Sequence, residues 1–331
     1  MPHVTDTPPA AVQTDLAGLE TALDDAIPPR TIDRNLLIGT WNVRAFGGLT
    51  EKWVADDDDS PKRDLESLHV IAAIIRRFDV VAIQETRGKL KALRHTMKLL
   101  GRNWGLVLTD VTRGSKGNGE RLGFLYDRRT VQPSGLAGEL VVPKEQLEHK
   151  PIAPDALTEQ FARTPYAVSF RAGDQTFILV TLHVLYGDRV SERTPELRAI
   201  AEWLDEWARD VNAWGHNIVA LGDFNIDRRG DERYEAFTST GLTVPEDLHD
   251  VPRTIFADPD DSDEKFYDQI AWFTEDGDRP ALSLAYRRSG SFDFRDVALA
   301  RRGLGRRSLS WRISDHFPLW TEFDIRDDER E

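Results

Sequence analysis

The chain contains no cysteine, so disulfide bonds and thiolate metal ligation are excluded. No stretch approaches the ~18 consecutive apolar residues of a membrane-crossing helix. Met1 to Ala10 carries neither a basic segment nor the apolar core of a secretory signal, so the expectation is a cytoplasmic protein with no membrane partner. No internal sequence repeat is visible. An excess of positive charge is missing too: 43 Lys and Arg face 57 Asp and Glu, for a net −14. That balance argues against tight, indiscriminate coating of nucleic acid, but it leaves room for a local basic face on an enzyme that must release its product. What is present is 40% apolar and 30% charged residues over 331 positions, the composition of a globular protein with a large core.

The periodicity divides the chain into an N-terminal extension (1–33), one compact domain (34–325) and a charged tail (326–331). Leu16 to Ile27, bracketed by Pro8-Pro9 and Pro28-Pro29, reads as a short acidic amphipathic helix that either packs on the domain or moves freely. Buried strands are expected at Leu36–Trp41, Asp79–Ile83, Leu122–Tyr126, Val168–Phe170, Thr176–Leu182, Asn217–Leu221, Gln269–Phe273 and Leu319–Phe323. Helical spacing covers Leu65 to Phe78. A second helix is predicted to start at Thr194-Pro195, to present Leu197, Ile200, Ala201 and Leu204 on one face, and to end at Gly215. Apolar runs between short turns indicate strands covered on both faces, hence two packed sheets flanked by helices. The acidic runs Asp56–Asp59 and Asp258–Glu264 read as solvated loops. A basic stretch from Arg287 to Arg312 lies just before Asp315-His316, a position that favours contact with a phosphate backbone.

Polar residues cluster at the ends of these strands. Asn42 follows the first, Glu85 the second and His183 the fifth; Asp223 and Asn225 follow the sixth, Asp268 opens the seventh and Asp315-His316 precedes the eighth. Asp223 and Asn225, two apart on extended backbone, share one face, and Gly222 permits a sharp turn before them. Glu85 is a hard oxygen donor suited to Mg²⁺, Mn²⁺ or Ca²⁺. A carboxylate beside an imidazole fixes its tautomer and raises its pKa, and Arg163 is placed to stabilise charge on a pentacovalent phosphorane. Taken singly, each has an ordinary explanation as a turn cap, a surface carboxylate or a half-buried histidine. The shared placement at strand ends points to a divalent metal held against a phosphodiester while water attacks it.

Asn42-Val43-Arg44-Ala45-Phe46, Gln84-Glu85-Thr86-Arg87, Glu120-Arg121, Arg163-Thr164-Pro165, Leu182-His183, Gly222-Asp223-Phe224-Asn225, Tyr267-Asp268-Gln269-Ile270, Phe292-Asp293-Phe294 and Ser314-Asp315-His316-Phe317-Pro318 together resemble the endonuclease/exonuclease/phosphatase superfamily, and within it the deoxyribonuclease I branch. The resemblance implies a four-layered α/β sandwich of two mostly antiparallel sheets flanked by helices, with the site at one sheet edge. It implies that Glu85, with Asn42 and Asp315, holds Mg²⁺ (or Mn²⁺) on the scissile phosphate. By the same resemblance Asp223 and Asn225 position water or a second metal. His316 with Asp268, and His183 with Glu120, handle proton transfer and phosphate binding. Arg163 clamps the phosphate, and Arg44 and Arg87 touch DNA. The implied enzyme is a monomeric, low-specificity DNA endonuclease leaving 5′-phosphate and 3′-hydroxyl ends; the alternative is a phosphatase or phosphodiesterase acting on an inositol phosphate, nucleotide or lipid headgroup. The branch's stacking tyrosine is replaced here by Gly117-Asn118-Gly119.

Overall fold

The computed structural model describes residues 1–112, 119–140, 163–184, 190–209, 217–257, 265–274 and 282–325. The first half runs α1 (Ala10–Ala26), β1 (Asn35–Phe46), α2 (Leu65–Ile75), β2 (Val80–Arg87), α3 (Lys91–Leu100), β3 (Trp104–Leu108), β4 (Glu120–Asp127) and β5 (Gln132–Glu139). The second runs β6 (Tyr166–Ala172), β7 (Gln175–His183), α4 (Val190–Arg209), β8 (Ile218–Asp223), α5 (Glu232–Thr238), β9 (Leu242–Thr243), β10 (Asp268–Phe273), β11 (Ala285–Ser291), α6 (Arg306–Ser310) and β12 (Leu319–Asp324).

The strands form two six-stranded sheets, ordered β11-β12-β1-β2-β4-β3 and β5-β6-β7-β8-β10-β9. Each sheet is antiparallel except for one central parallel pair, β1–β2 or β7–β8. A parallel pair needs a crossover, and α2 and α4 supply the two. The pairing senses along β12-β1-β2-β4 repeat along β6-β7-β8-β10, although no sequence repeat accompanies them.

Strand alternation builds the layers. Ile38, Val80, Ala82 and Phe124 of the first sheet point inward and pack with Val168, Phe170, Leu179 and Val219 of the second. Their neighbours Leu37, Val81, Ile83 and Leu125 point outward, into a separate cluster with Leu68, Ile71 and Leu93 of α2 and α3. Leu197, Ile200, Ala201 and Leu204 of α4 cover the outer face of the second sheet. The result is the helix–sheet–sheet–helix sandwich, with strands buried on both faces. Gln84 ties the two sheets: its Nε2 donates to Thr40 Oγ1 (3.1 Å) beside it and to Thr181 Oγ1 (2.9 Å) across the interface.

α2 starts on Asp64, whose side chain accepts from Ser67 N. α4 starts four residues before the expected Thr194-Pro195, so Pro195 lies inside it; there it forgoes one main-chain bond near the helix start. Gly215, Asp258–Glu264 and the tail 326–331 lie outside the described residues. Residues 1–33 are packed: Val4, Leu19, Leu23 and Ile27 join the cluster outside the first sheet, and Arg30 reaches Asp79 and Asp127, each at 2.8 Å. Among the described residues no helix is long and apolar enough to cross a membrane.

Candidate active site

The two parallel pairs end at the same edge of the sandwich, and their ends carry the polar residues. Asn42 and Glu85 end the β1–β2 region; His183 lies opposite Asp223 at the end of β7–β8. β4 opens with Glu120, paired with Arg87, and β10 opens with Asp268, paired with Asp223. Glu85, Glu120, His183, Asp223, Asp315 and His316 face one cleft of about 390 Å³, which Arg163 and Asn225 also line. A second pocket, apolar and about 10 Å³, lies beneath α4 between Val180, Ile200 and Leu204, and it holds no group that does chemistry.

The backbone is distorted to aim these groups. Ala45, Glu85 and Asn225 have φ of 46°, 58° and 50°, left-handed values for non-glycine residues, each costing about 1–3 kcal/mol unless the surroundings enforce it. The pairing register of β2 with β4 shifts between Ile83 and Thr86, a bulge that turns Glu85 toward the cleft. Gly222 has φ 145°, and a Cβ there would stand 2.1 Å from the Leu182 carbonyl of the adjoining strand, so the turn before Asp223 requires glycine for both reasons.

At one end of the cleft Asn42 Nδ2 donates to Asp223 Oδ2 (2.9 Å) and to Glu85 Oε1 (3.3 Å), while Ala45 N donates to Glu85 Oε2 (2.8 Å). Arg44 Nη1 lies 3.1 Å from Asp315 Oδ2. Among the described residues Asn42 Oδ1 and Asp315 Oδ1 are buried acceptors without a hydrogen-bond partner. Two carboxylates and a carboxamide, with lone pairs left over, form the donor set a hard divalent cation takes. Asp223, Asp268 and His316 also place ligand atoms within 4.8 Å of one another. That trio is already closed internally by the Asp268–His316 hydrogen bond, so Asn42, Glu85 and Asp315 are the better fit to a metal.

Two histidines also converge on Asp223. His316 Nε2 is 3.8 Å and His183 Nε2 3.5 Å from Asp223 Oδ2. Behind each stands a second carboxylate: His316 Nδ1 lies 2.6 Å from Asp268 Oδ2, and His183 Nδ1 lies 3.0 Å from Glu120 Oε2. Arg163 Nε also rests on Glu120, at 2.7 Å, and Arg87 Nη1 at 3.2 Å. Asn225 Nδ2 donates to the Val184 carbonyl (2.6 Å), and its N–H to Asp223 Oδ1 (3.0 Å).

Electrostatics follow from this packing. Burial pushes the Glu120 carboxyl up, but His183, Arg163 and Arg87 outweigh it and hold it at about 2. Burial likewise opposes ionisation of Asp223, and the two histidines with Asn42 overcome it, so its pKa is lowered. Burial raises Asp268 to about 6 against the pull of His316. Burial disfavours the His316 cation, yet Asp268 and Asp223 lift that imidazole well above its ordinary value. Asp268 and His316 behave as one hydrogen-bonded pair. Burial raises Asp315 too, with Glu85 adding to the shift.

Other residues complete the site, and of these only Ser314 belongs to a motif visible in the sequence. Arg63, in what reads as a polar loop, is buried and donates to the carbonyls of Arg44, Ala45, Arg312 and Ile313, joining the end of β1 to the segment that leads to Asp315. Ser314 Oγ donates to the Asn42 carbonyl at 2.6 Å. Arg253 donates from Nε to the Asp268 carbonyl (2.8 Å), and Thr254 bridges to His316. The basic stretch is not a continuous phosphate-binding face. Arg287 pairs with Asp324, Arg288 with Glu322, Arg295 with Asp293, Arg301 with Glu66, and Arg302 with Asp64 and Glu66. Like-charged side chains in a protein of net −14 find internal carboxylates first. The Asp56–Asp59 loop is closed on itself by Lys52, 2.7 Å from Asp56 and 2.8 Å from Asp59. Of Gly117-Asn118-Gly119, the first two lie outside the described residues.

Two stacked mixed sheets, helices on both outer faces and a carboxylate–imidazole cleft at one edge define the deoxyribonuclease I-like class of α/β sandwich. The chain belongs to the Endonuclease/Exonuclease/phosphatase family, a hydrolase family whose members are generally divalent-metal dependent, and the family model matches residues 39–316. It is 26% identical over 298 residues to a protein named Deoxyribonuclease from Thioalkalivibrio sp. (strain K90mix), covering 88% of this chain and 71% of that one. Among solved structures it is similar to a mannosyl-6-phosphatase of Bacteroides thetaiotaomicron VPI-5482 (19% identity, TM-score 0.56, 87% and 99% of the two chains). It is also similar to D. rerio TDP2 complexed with a single-strand DNA product (14% identity, TM-score 0.53, 87% and 98%). Identities this low carry the fold alone.

Proposed function

We propose that the protein is a divalent-metal-dependent endonuclease that hydrolyses DNA phosphodiester bonds with low sequence specificity, leaving 5′-phosphate and 3′-hydroxyl ends. The observation that carries the reading is the approach of two histidines to one oxygen of Asp223, each backed by its own buried carboxylate, beside an oxygen donor set with acceptors unfilled among the described residues. The relative named Deoxyribonuclease supports DNA as the substrate.

Asn42, Glu85 and Asp315 would hold the cation, Mg²⁺ or Mn²⁺, which when bound neutralises charge on the non-bridging oxygens. Arg163, braced by Glu120, adds a second positive charge to the same phosphate. Asp223, kept ionised, accepts a hydrogen bond from the attacking water and aligns it opposite the leaving 3′-oxygen. His183 and Asn225 fix that carboxylate in place. His316, held as a cation by Asp268, donates a proton toward the phosphate and leaving oxygens.

The test is conversion of supercoiled plasmid to open circle with Mg²⁺ or Mn²⁺ and with EDTA. Nicking is expected only with metal. Asp223→Ala and His316→Ala are each expected to lower kcat by at least ~10²-fold with the fold retained. Full activity in both variants would overturn the assignment.

A second reading keeps the chemistry and changes the substrate to a small phosphoester. A cleft of about 390 Å³ in a chain of net −14 accommodates one, and one structural neighbour is a mannosyl-6-phosphatase. Release of inorganic phosphate from a monoester by a protein that leaves plasmid intact would favour this reading.

A further inference from the structure

Arg44 is held at the metal end of the cleft by Asp315 at 3.1 Å and by Ser310 Oγ at 2.8 Å. Its guanidinium carbon also lies 4.0 Å from the centre of the Trp311 ring. Trp311 follows α6 directly and is 45% exposed, one of few large apolar side chains in contact with solvent. The neighbouring Trp41, Phe294, Phe317 and Leu309 are all buried in the core, so the exposure of Trp311 is not a general feature of this region. Arg306 and Arg307, the first residues of α6, are exposed as well, and no ion pair is found for either among the described residues. Other arginines of this stretch are bound to internal carboxylates. An exposed indole therefore stands against Arg44, whose guanidinium reaches Asp315 at the cleft, and two exposed arginines lie in the short helix just before it.

We propose that Trp311 is a nucleobase subsite: it stacks on an unpaired base of the nucleotide next to the scissile phosphate, while Arg44 bridges between the indole and that phosphate. This rests on the nuclease reading and deepens it, because it assigns a single-stranded or locally unpaired nucleic acid as the preferred substrate. The chemistry is general. Every base presents a π face, so stacking on an aromatic side chain flanked by arginines gives affinity with little sequence preference. A small sugar phosphate or inositol phosphate has no such face and gains nothing from it. The ring is fixed by Arg44 on one side, so little motion is lost when a base arrives.

The experiment uses the full chain with Mg²⁺ and a minimal substrate, a 5′-phosphorylated dinucleotide with one phosphodiester bond. Two analogues are compared with it, in each of which one base in turn is replaced by hydrogen on an otherwise intact sugar. For the wild type, removing one of the two bases is expected to lower kcat/KM by roughly 5- to 150-fold, the range that base–aromatic stacking supplies. Trp311→Ala should lower kcat/KM on the intact dinucleotide by a similar factor, chiefly through KM, and should erase the difference between it and that analogue. Trp311→Phe should restore most of both. If Trp311 merely positioned Arg44, Trp311→Ala would depress the intact substrate and both analogues alike, and that result would overturn the proposal. A wild type that cleaves all three equally would overturn it too. A wild type that cleaves none of them and does not nick plasmid would defeat the nuclease reading itself, and this subsite with it.

Discussion

Glu120 touches two guanidinium groups and an imidazole at once: Arg163 at 2.7 Å, Arg87 at 3.2 Å and His183 at 3.0 Å. Its carboxylate decides where Arg163, Arg87 and His183 stand, and it keeps the three together. Nothing local marks it in the sequence. A glutamate before an arginine at a strand start is ordinary, and it is singled out only through the family resemblance. Asp223 and Asp315-His316 are more legible, because a polar pair interrupting an apolar run is unusual. Arg63 is not legible at all, since its four carbonyl partners come from the end of β1 and from the turn after α6, far apart in sequence. For Glu120→Gln the expectation is a loss of about 3–5 kcal/mol in unfolding free energy, the usual consequence of leaving a buried charge without its partner. Nicking should fall at least ~10-fold as Arg163 and His183 lose their brace. Urea denaturation and the plasmid assay read the two effects, and unchanged stability would show that the cluster is not a structural clamp.

The secondary elements divide cleanly by position. The eight strands legible as apolar runs are β1, β2, β4, β6, β7, β8, β10 and β12, the interior strands of the two sheets. The four that are not legible, β3, β5, β9 and β11, are the sheet edges. An edge strand is covered less completely, so selection for a continuous apolar run is absent. β5 alternates between exposed and half-buried and carries Pro133 and Gly135, and β11 is largely exposed and contains Arg287 and Arg288. The short helices α5 and α6 escape the periodicity because fewer than three turns give too few repeats to see. Interior strands also carry the tightest constraints. In β8, Gly222→Ala meets both a φ of 145° and the Leu182 carbonyl at 2.1 Å, so a destabilisation of at least about 2–3 kcal/mol is expected. The β7–β8 junction that holds His183 and Asp223 should shift with it. Urea midpoints test the first effect and residual nicking the second; a variant equal to wild type in both would show that the junction relaxes freely.

Across the whole molecule the repeated sheet topology brings two parallel strand pairs to one edge, and the polar groups of the candidate active site lie where those pairs end. The opposite edge of the first sheet is closed differently. Arg30, beyond α1, inserts between Asp79 and Asp127, and Arg129 also pairs with Asp127, at 2.5 Å. Burial pushes the Asp127 carboxyl up, but Arg129 and Arg30 outweigh it and hold it at about 2. An unfolded aspartate titrates near ~3.9, so the folded state binds this proton less readily than the unfolded state. The stability it contributes is therefore fully present above about pH 4 and is lost as pH falls through about 2. For a side chain with no solvent exposure the contribution is about 2–3 kcal/mol. Asp127→Asn should lower stability at neutral pH by a comparable amount and flatten the decline between about pH 5 and 2. Glu120 titrates in the same window, but it is common to both proteins and cancels in the comparison. Urea unfolding at a series of pH values gives both slopes. Parallel slopes for wild type and Asp127→Asn would mean that the arginine clasp does not carry the acid sensitivity, and that the N-terminal segment is held by the apolar contacts of Val4, Leu19, Leu23 and Ile27 and by the pairing of Arg77 with Glu20 and Asp24.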